Sequence, residues 1–181
     1  PTFSGRRVST DAPQEALSAL GPLPQTVCLM VLAGLLIAAA WQDLRTLHIG
    51  NGLSIAVATL FIGWAGSGLI AGSYTLQAFG LAIACGAGLF VVGAAAFAAG
   101  ILGGGDVKLL AAVGLFAGPA GIVDLMLVTA LAGGLLGLAV LVGAPIGPAS
   151  TPGGVAPRRR LPYGPAIAMG GLWVASKLAV G

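Results

Sequence analysis

The sequence predicts an all-α integral membrane protein that crosses the bilayer with about six helices. Charged residues make up 7% of the 181 residues, against roughly 25% in soluble domains. Hydrophobic residues reach 57%, and long stretches of the chain contain no charged side chain. A soluble fold needs a charged surface that this composition does not supply. Lipid must therefore replace water around most of the chain.

The uncharged stretches place the helices along the chain at about 20 residues per crossing. A cluster of glycines and serines at 66–74 separates the second helix from the third, and Gly118-Pro119 ends the fourth. The predicted crossings are 23–42, two within 49–105, then 107–117, 122–142 and 165–180.

The segments outside these helices are polar or rich in proline. Residues 1–22 carry both signs of charge and show no clear signal peptide, so we interpret them as a mobile polar tail. Residues 23–181 form a single polytopic domain. Its loop 143–164 contains several prolines, which exclude a helix or a regular strand. We expect the cations of this loop to bind anionic lipid headgroups. They are Arg158, Arg159 and Arg160.

The distribution of cations predicts the orientation. With six crossings, the first, third and fifth connections lie on one side, and they hold Arg45, Lys108 and the arginines of loop 143–164. The other two connections contain no Lys or Arg. Because cytoplasmic loops are enriched in these residues, the cation-bearing side is predicted to be cytoplasmic.

Two aspartates lie where charge is costly. Asp43 ends the first helix, and Asp106 follows three glycines at the start of the fourth, so both belong to the cytoplasmic side. A carboxylate at membrane depth suggests a function. Two carboxylates that share one proton can activate water. The helix dipoles favour a proton on Asp43 and a charge on Asp106.

Three sequence elements resemble the motifs of type IV prepilin peptidases. The first runs from Asp43-Leu44-Arg45 to Ile49-Gly50-Asn51, where the family usually has proline before the asparagine. The second is Gly103-Gly104-Gly105-Asp106-Val107-Lys108. The third, Leu161-Pro162-Tyr163-Gly164-Pro165-Ala166, begins the last helix. Together they cover nearly the whole chain from about residue 25.

The resemblance implies a GxGD-type intramembrane aspartyl protease. It would lie in the bacterial inner membrane and remove a short basic leader from pilin-like precursors, whose next segment is a hydrophobic helix. Asp43 and Asp106 are the implied catalytic residues. Supporting roles are implied for Arg45, Asn51, Gly103, Gly105, Lys108 and for Pro162, Tyr163, Gly164 and Pro165.

The chain resembles the short branch of the family, which is often associated with Flp-type pili. The cytoplasmic insert with paired CxxC motifs, found in many members, does not occur here. Methylation of the trimmed pilin is therefore not expected. Cys28 and Cys85 lie apart in apolar runs, so the sequence predicts neither a metal site nor any other cofactor.

Simpler interpretations exist for the same residues. The two aspartates could end helices at the lipid–water boundary. Asn51 suits a helix N-cap better than a catalytic role. Arg45 and Lys108 suit interfacial cations. Asp124 resembles a surface anchor.

Other classes of function are alternatives to the peptidase. His48 is the only histidine, so a serine–histidine dyad with a later histidine and an HExxH zinc site are both excluded. The small net charge of +3 argues against nucleic acid as a partner. A proton-coupled transporter or channel that uses the two acids as relay sites is the main alternative. A scaffold without catalytic activity is the third hypothesis.

Overall fold

The computed structural model describes residues 22–142 and 162–180, and the regular structure in this part of the chain is α-helical. The predicted tail lies outside the described residues, except for Pro22. The proposed lipid-binding arginines Arg158, Arg159 and Arg160 also lie outside them. The helices are α1 Pro22–Thr46, α2 Asn51–Ala71, α3 Leu76–Ala98, α4 Gly104–Leu141 and α5 Gly164–Val180.

Four of these helices, α1 to α4, are long and apolar enough to cross a bilayer. The fifth, α5, is apolar but has only 17 residues. These helices identify the chain as a membrane protein, as the composition predicted. The count of six crossings stays a prediction.

Helix α4 is broken in the middle. It contains 38 residues, whereas about 20 suffice for one crossing. Gly118 has φ 54° and ψ −168°, values outside the helical region, and Pro119 follows it. A positive φ favours glycine, and proline has no N–H to continue the helical hydrogen bonds. The break therefore falls where the sequence predicted the turn between the fourth and fifth helices. We call 104–117 α4a and 119–141 α4b.

The two halves of α4 run in opposite directions. In α4b, Asp124 pairs with Lys177, and Gly133 lies against the ring of Tyr163, so α4b is antiparallel to α5. In the contacts between α4a and α2, the first turns of the two helices meet each other, and so do residues further along both helices. Lys108 reaches Asn51, and the ring of Phe116 packs on Phe61. Helix α4a is therefore parallel to α2, whereas α1 and α5 are antiparallel through Asp43–Gly164 and Leu36–Gly171.

These contacts sort the connections between helices into two groups. The loops 47–50 and 99–103 and the start of α5 lie at one end of the bundle, which we call the acid end because Asp43 and Asp106 are there. The turn 72–75 and Gly118 lie at the opposite end, the far end. This alternation agrees with the predicted side of each connection.

The core combines large side chains with glycines that admit them. Phe61 stacks with Phe79 and meets the edge of Phe116, which ties α2, α3 and α4a together. Gly171 of α5 faces Leu36 and Val113, so a side chain there would collide with α1 and α4a. Small residues at such crossings let helix backbones approach closely, which is the main source of packing in a bilayer.

Candidate active site

Asp106 is held by the first turn of α4. Gly103 is the N-cap, and its backbone N–H donates to Oδ2 of Asp106 at 3.2 Å. The side chain is 7% exposed, and Oδ1 is buried without a hydrogen-bond partner among the described residues. A methyl group on Gly103 would lie 2.7 Å from Oδ2, so an alanine at this position would displace the carboxylate. An unpaired buried carboxylate oxygen is unusual in a folded protein and calls for an explanation.

Asp43 lies in the last turn of α1 and is 3% exposed. Its Oδ2 accepts a 2.7 Å hydrogen bond from the backbone N–H of Gly164, the first residue of α5. A methyl group on Gly164 would lie 2.6 Å from Cβ of Asp43. The amino end of α5 therefore packs directly onto this carboxylate.

The two carboxyl groups lie within electrostatic range of each other. Neither carboxyl group forms an ion pair with a cation of the described residues. The ion pair among these residues joins Lys177 to Asp124. Acids that merely end helices at the lipid–water boundary would be solvated. These two are buried together without a counter-charge, so the boundary interpretation does not fit them.

A contact of the fold bears on the predicted proton on Asp43, which stays a prediction. The carboxyl end of α1 near Asp43 and the amino end of α4 near Asp106 predict a proton on Asp43. In the fold, the amino end of α5 also reaches Asp43. Each acid thus accepts an N–H at the start of a helix, and at Asp43 the amino end of α5 opposes the carboxyl end of α1, which reduces the difference that the helix dipoles make.

Close packing joins the loop between α1 and α2 to the start of α4. A methyl group on Gly105 would lie 2.7 Å from the carbonyl oxygen of Ile49, whose side chain is buried. In the same loop, Leu47 adopts a left-handed conformation with φ 49°. Gly105 is therefore needed because the loop backbone passes directly over it.

The expectation that Asn51 caps α2 is wrong. Gly50 is the N-cap, it forms no side-chain cap, and Asn51 is the first helical residue. Its Oδ1 instead accepts a 2.8 Å hydrogen bond from Nζ of Lys108 on α4a. A cross-helix contact between residues 57 positions apart left no signal in the local sequence.

The remaining polar residues of the first motif face outward. The guanidinium of Arg45 is exposed and lies 4.4 Å from the centre of the Trp41 ring, a cation–π contact at the helix end. His48 is also exposed. This arrangement agrees with the interpretation of Arg45 as an interfacial cation. No hydrogen bond or ion pair of the described structure links these two side chains to the aspartates.

The third motif connects three helices. Gly164 donates to Asp43 on α1, and Tyr163 packs against Gly133 of α4b. Pro165 occupies the first turn of α5, where a missing N–H costs nothing. Pro162 is fully buried. Sequence reasoning placed this motif at the start of the last helix but missed its contact with Asp43.

The comparisons with known proteins agree with the geometry. Residues 30–138 match the family model of the type IV leader peptidase family. The matched segment includes both aspartates and ends before the third motif. No curated protein and no solved structure matches the chain.

Proposed function

Because the chain belongs to the type IV leader peptidase family, we propose that it is an aspartic endopeptidase of the bacterial inner membrane. It removes the short basic leader of Flp-type or similar pilin-like precursors at the cytoplasmic face. One observation carries the catalytic type. Asp43 and Asp106 are both buried within electrostatic range of each other, without a counter-ion from the described residues, and Oδ1 of Asp106 is left without a partner there.

This pair can catalyse peptide hydrolysis by general acid–base chemistry. The ionised carboxylate takes a proton from a water molecule, whose oxygen attacks the carbonyl carbon of the scissile bond. The protonated partner donates its proton to the carbonyl oxygen, which gives a neutral tetrahedral intermediate. The intermediate collapses as the C–N bond breaks. The leaving nitrogen takes the proton from the carboxyl group that first accepted it, and one hydroxyl of the intermediate returns a proton to the other carboxylate, which restores the starting pair. The unpartnered Oδ1 of Asp106 is a suitable acceptor for the water.

In this proposal the surrounding residues position the two carboxyl groups and do not transfer protons. Gly103 and Gly164 hold one carboxylate each through a backbone N–H. Gly105 allows the α1–α2 loop to close over the site. Preorganised donors of this kind fix the carboxylates before the substrate arrives.

The cations support a cytoplasmic acid end. The helix ends at the acid end carry Arg45 and Lys108, whereas the turn 72–75 and the break at Gly118 carry no Lys or Arg. Lys177 is nearer the far end, but it is paired with Asp124. Arg158, Arg159 and Arg160 would then bind anionic headgroups of the inner leaflet.

The transporter hypothesis finds less support in the fold. A proton relay needs titratable groups spread along the path across the membrane. Asp43 and Asp106 share one end of the bundle, and the remaining acid of the described helices, Asp124, is engaged with Lys177.

The proposal is tested with purified protein in detergent and a Flp-type prepilin that retains its leader. We expect cleavage at the end of the leader by the unmodified protein and none by Asp106→Asn. If the unmodified protein leaves the prepilin intact under conditions in which it is folded, the proposed activity is wrong. Proton uptake by vesicles that contain the protein would then favour the transporter.

A further inference from the structure

The loop between α1 and α2 turns at a residue that is not glycine. Leu47 follows the end of α1 directly and has a left-handed conformation with φ 49°. Helices often end on a left-handed residue, but that residue is usually glycine, because a side chain makes the conformation costly. Contacts elsewhere in the loop must offset this cost at Leu47.

The hydroxyl group of Thr46 supplies such a contact. Its Oγ1 donates to the carbonyl oxygen of Gln42 at 2.8 Å and to that of His48 at 3.0 Å. A hydroxyl group has one hydrogen, which these two acceptors share. A bond to the residue four positions earlier is common for threonine in a helix. The bond to His48 is different, because it crosses the turn and ties the loop to the last turn of α1.

The same loop packs on the first turn of α4. Ile49 follows His48 directly, and its side chain is 3% exposed. Its carbonyl oxygen would lie 2.7 Å from a methyl group on Gly105. Gly105 is the residue before Asp106. A shift of the loop backbone at Ile49 would therefore disturb the turn that holds this carboxyl group.

The other acid belongs to the turn from which the loop starts. The backbone N–H of Leu47 donates to the carbonyl oxygen of Asp43 at 2.8 Å. Thr46 lies between these two residues in the chain. Its hydroxyl group therefore connects the turn that carries Asp43 to the loop that packs beside Asp106.

We propose that Thr46 is a positioning residue of the candidate active site. Its hydroxyl group holds the α1–α2 loop against the first turn of α4 and so sets the position of Asp43 relative to Asp106. The proposal rests on the proposed function. A displacement of about 1 Å can cost a factor of ~10² in rate. Because Thr46 is exposed, water competes for the same carbonyl oxygens, and the expected loss is smaller than that.

Variants of Thr46 with and without the hydroxyl group test the proposal. Thr46→Val keeps the branched shape and removes the hydroxyl group, whereas Thr46→Ser keeps the hydroxyl group. Thr59→Val is the matched control, because Thr59 is an exposed threonine of α2 outside the loop. On a Flp-type prepilin we expect Thr46→Val to lose about tenfold in kcat with KM unchanged, since the two acids act on bound substrate. Thr46→Ser and Thr59→Val should stay close to the unmodified protein.

Several results would contradict this expectation. Rates refer to folded protein, which thermal unfolding in detergent measures. If Thr46→Val cleaves as fast as Thr59→Val, the hydroxyl group does not position the acids. Equal losses for Thr46→Val and Thr46→Ser, or a change in KM alone, would also overturn the proposal. If the unmodified protein leaves the prepilin intact, the proposed function itself fails.

Hydrogen–deuterium exchange gives a second measurement that needs no substrate. The hydrogen bond from the N–H of Leu47 to Asp43 should protect this amide while the loop is held in place. In Thr46→Val we expect at least about fivefold faster exchange over residues 47–50, with no change around Thr59. Thr46→Ser should exchange like the unmodified protein. Equal exchange in all variants would show that the loop is held without the hydroxyl group, and the proposal is overturned.

Discussion

The backbone N–H of Gly164 donates a 2.7 Å hydrogen bond to Oδ2 of Asp43, although the two residues are 121 positions apart. This bond places the amino end of α5 on the acid of α1. The neighbouring Tyr163 packs on Gly133 of α4b. The third motif thus supports one of the two proposed catalytic carboxylates.

Gly164→Ala should disturb this contact. A methyl group would lie 2.6 Å from Cβ and 2.9 Å from Oδ2 of Asp43, too close for either atom to stay in place. We expect a large loss of prepilin cleavage and a destabilisation of about 1–3 kcal/mol. Gly134→Ala is the control, since a methyl group there meets nothing within 4 Å. Prepilin cleavage and thermal unfolding in detergent are measured for both variants. Equal activity of the two variants would refute a supporting role of Gly164.

The adjacent residues Gly104 and Gly105 provide a second pair of control and test variants. A methyl group on Gly105 would lie 2.7 Å from the carbonyl oxygen of Ile49, which is backbone and cannot easily yield. On Gly104 it would meet the Phe97 ring at 3.5 Å, an ordinary contact. Gly105→Ala should therefore lower kcat/KM at least about tenfold, as expected when the loop over the site shifts. The kcat/KM of Gly104→Ala should stay close to that of the unmodified protein. A larger loss for Gly104→Ala than for Gly105→Ala would be evidence against a loop that closes over Gly105.

Asp43→Asn and Asp106→Asn should each abolish cleavage, because either change removes one half of the acid–base pair. Both variants should still insert and fold, since neutralising a buried acid removes a desolvation cost. Asp124→Asn is the control for the loss of an acid at another position. We expect this variant to remain active because Asp124 pairs with Lys177 near the far end, away from the two proposed catalytic acids. Cleavage of prepilin is measured alongside size-exclusion chromatography, and substantial activity of either active-site variant would exclude an aspartic mechanism.

The contact between Lys108 and Asn51 should stabilise the packing of α2 on α4a by a modest amount. Both residues are exposed, so we expect a coupling of about 0.5–1 kcal/mol. Asn51→Ala, Lys108→Met and the double variant form a mutant cycle, measured by unfolding in detergent mixtures. Strict additivity of the two single changes would show that the 2.8 Å hydrogen bond contributes nothing.

The orientation is tested with single cysteines in a chain without Cys28 and Cys85. Ser73 and His48 are both exposed, and they lie at opposite ends of the bundle. In intact cells, Ser73→Cys should react with an impermeant thiol reagent and His48→Cys should not. Both should react once the membrane is opened. The opposite labelling pattern would place the acids on the outer face.

The sequence by itself determined the membrane class, the helical content and the positions of most turns. These are local properties, because every residue of a crossing must be compatible with lipid. Gly118-Pro119 predicted a turn, and the structure breaks α4 there through a positive φ that glycine tolerates. The motifs singled out Asp43 and Asp106 through their residue types and spacing.

Only the tertiary structure decided which faces of the helices meet. In a soluble protein, a polar stripe marks the outer face of a helix and an apolar stripe marks the inner one. In a bilayer both faces are apolar, so the sequence of α2 or α4 does not reveal which side is packed. The contact of Gly164 with Asp43 and the link from Lys108 to Asn51 therefore appear only once the helices are assembled. Their positions depend on where small residues let backbones approach, which is a property of shape and not of hydrophobicity.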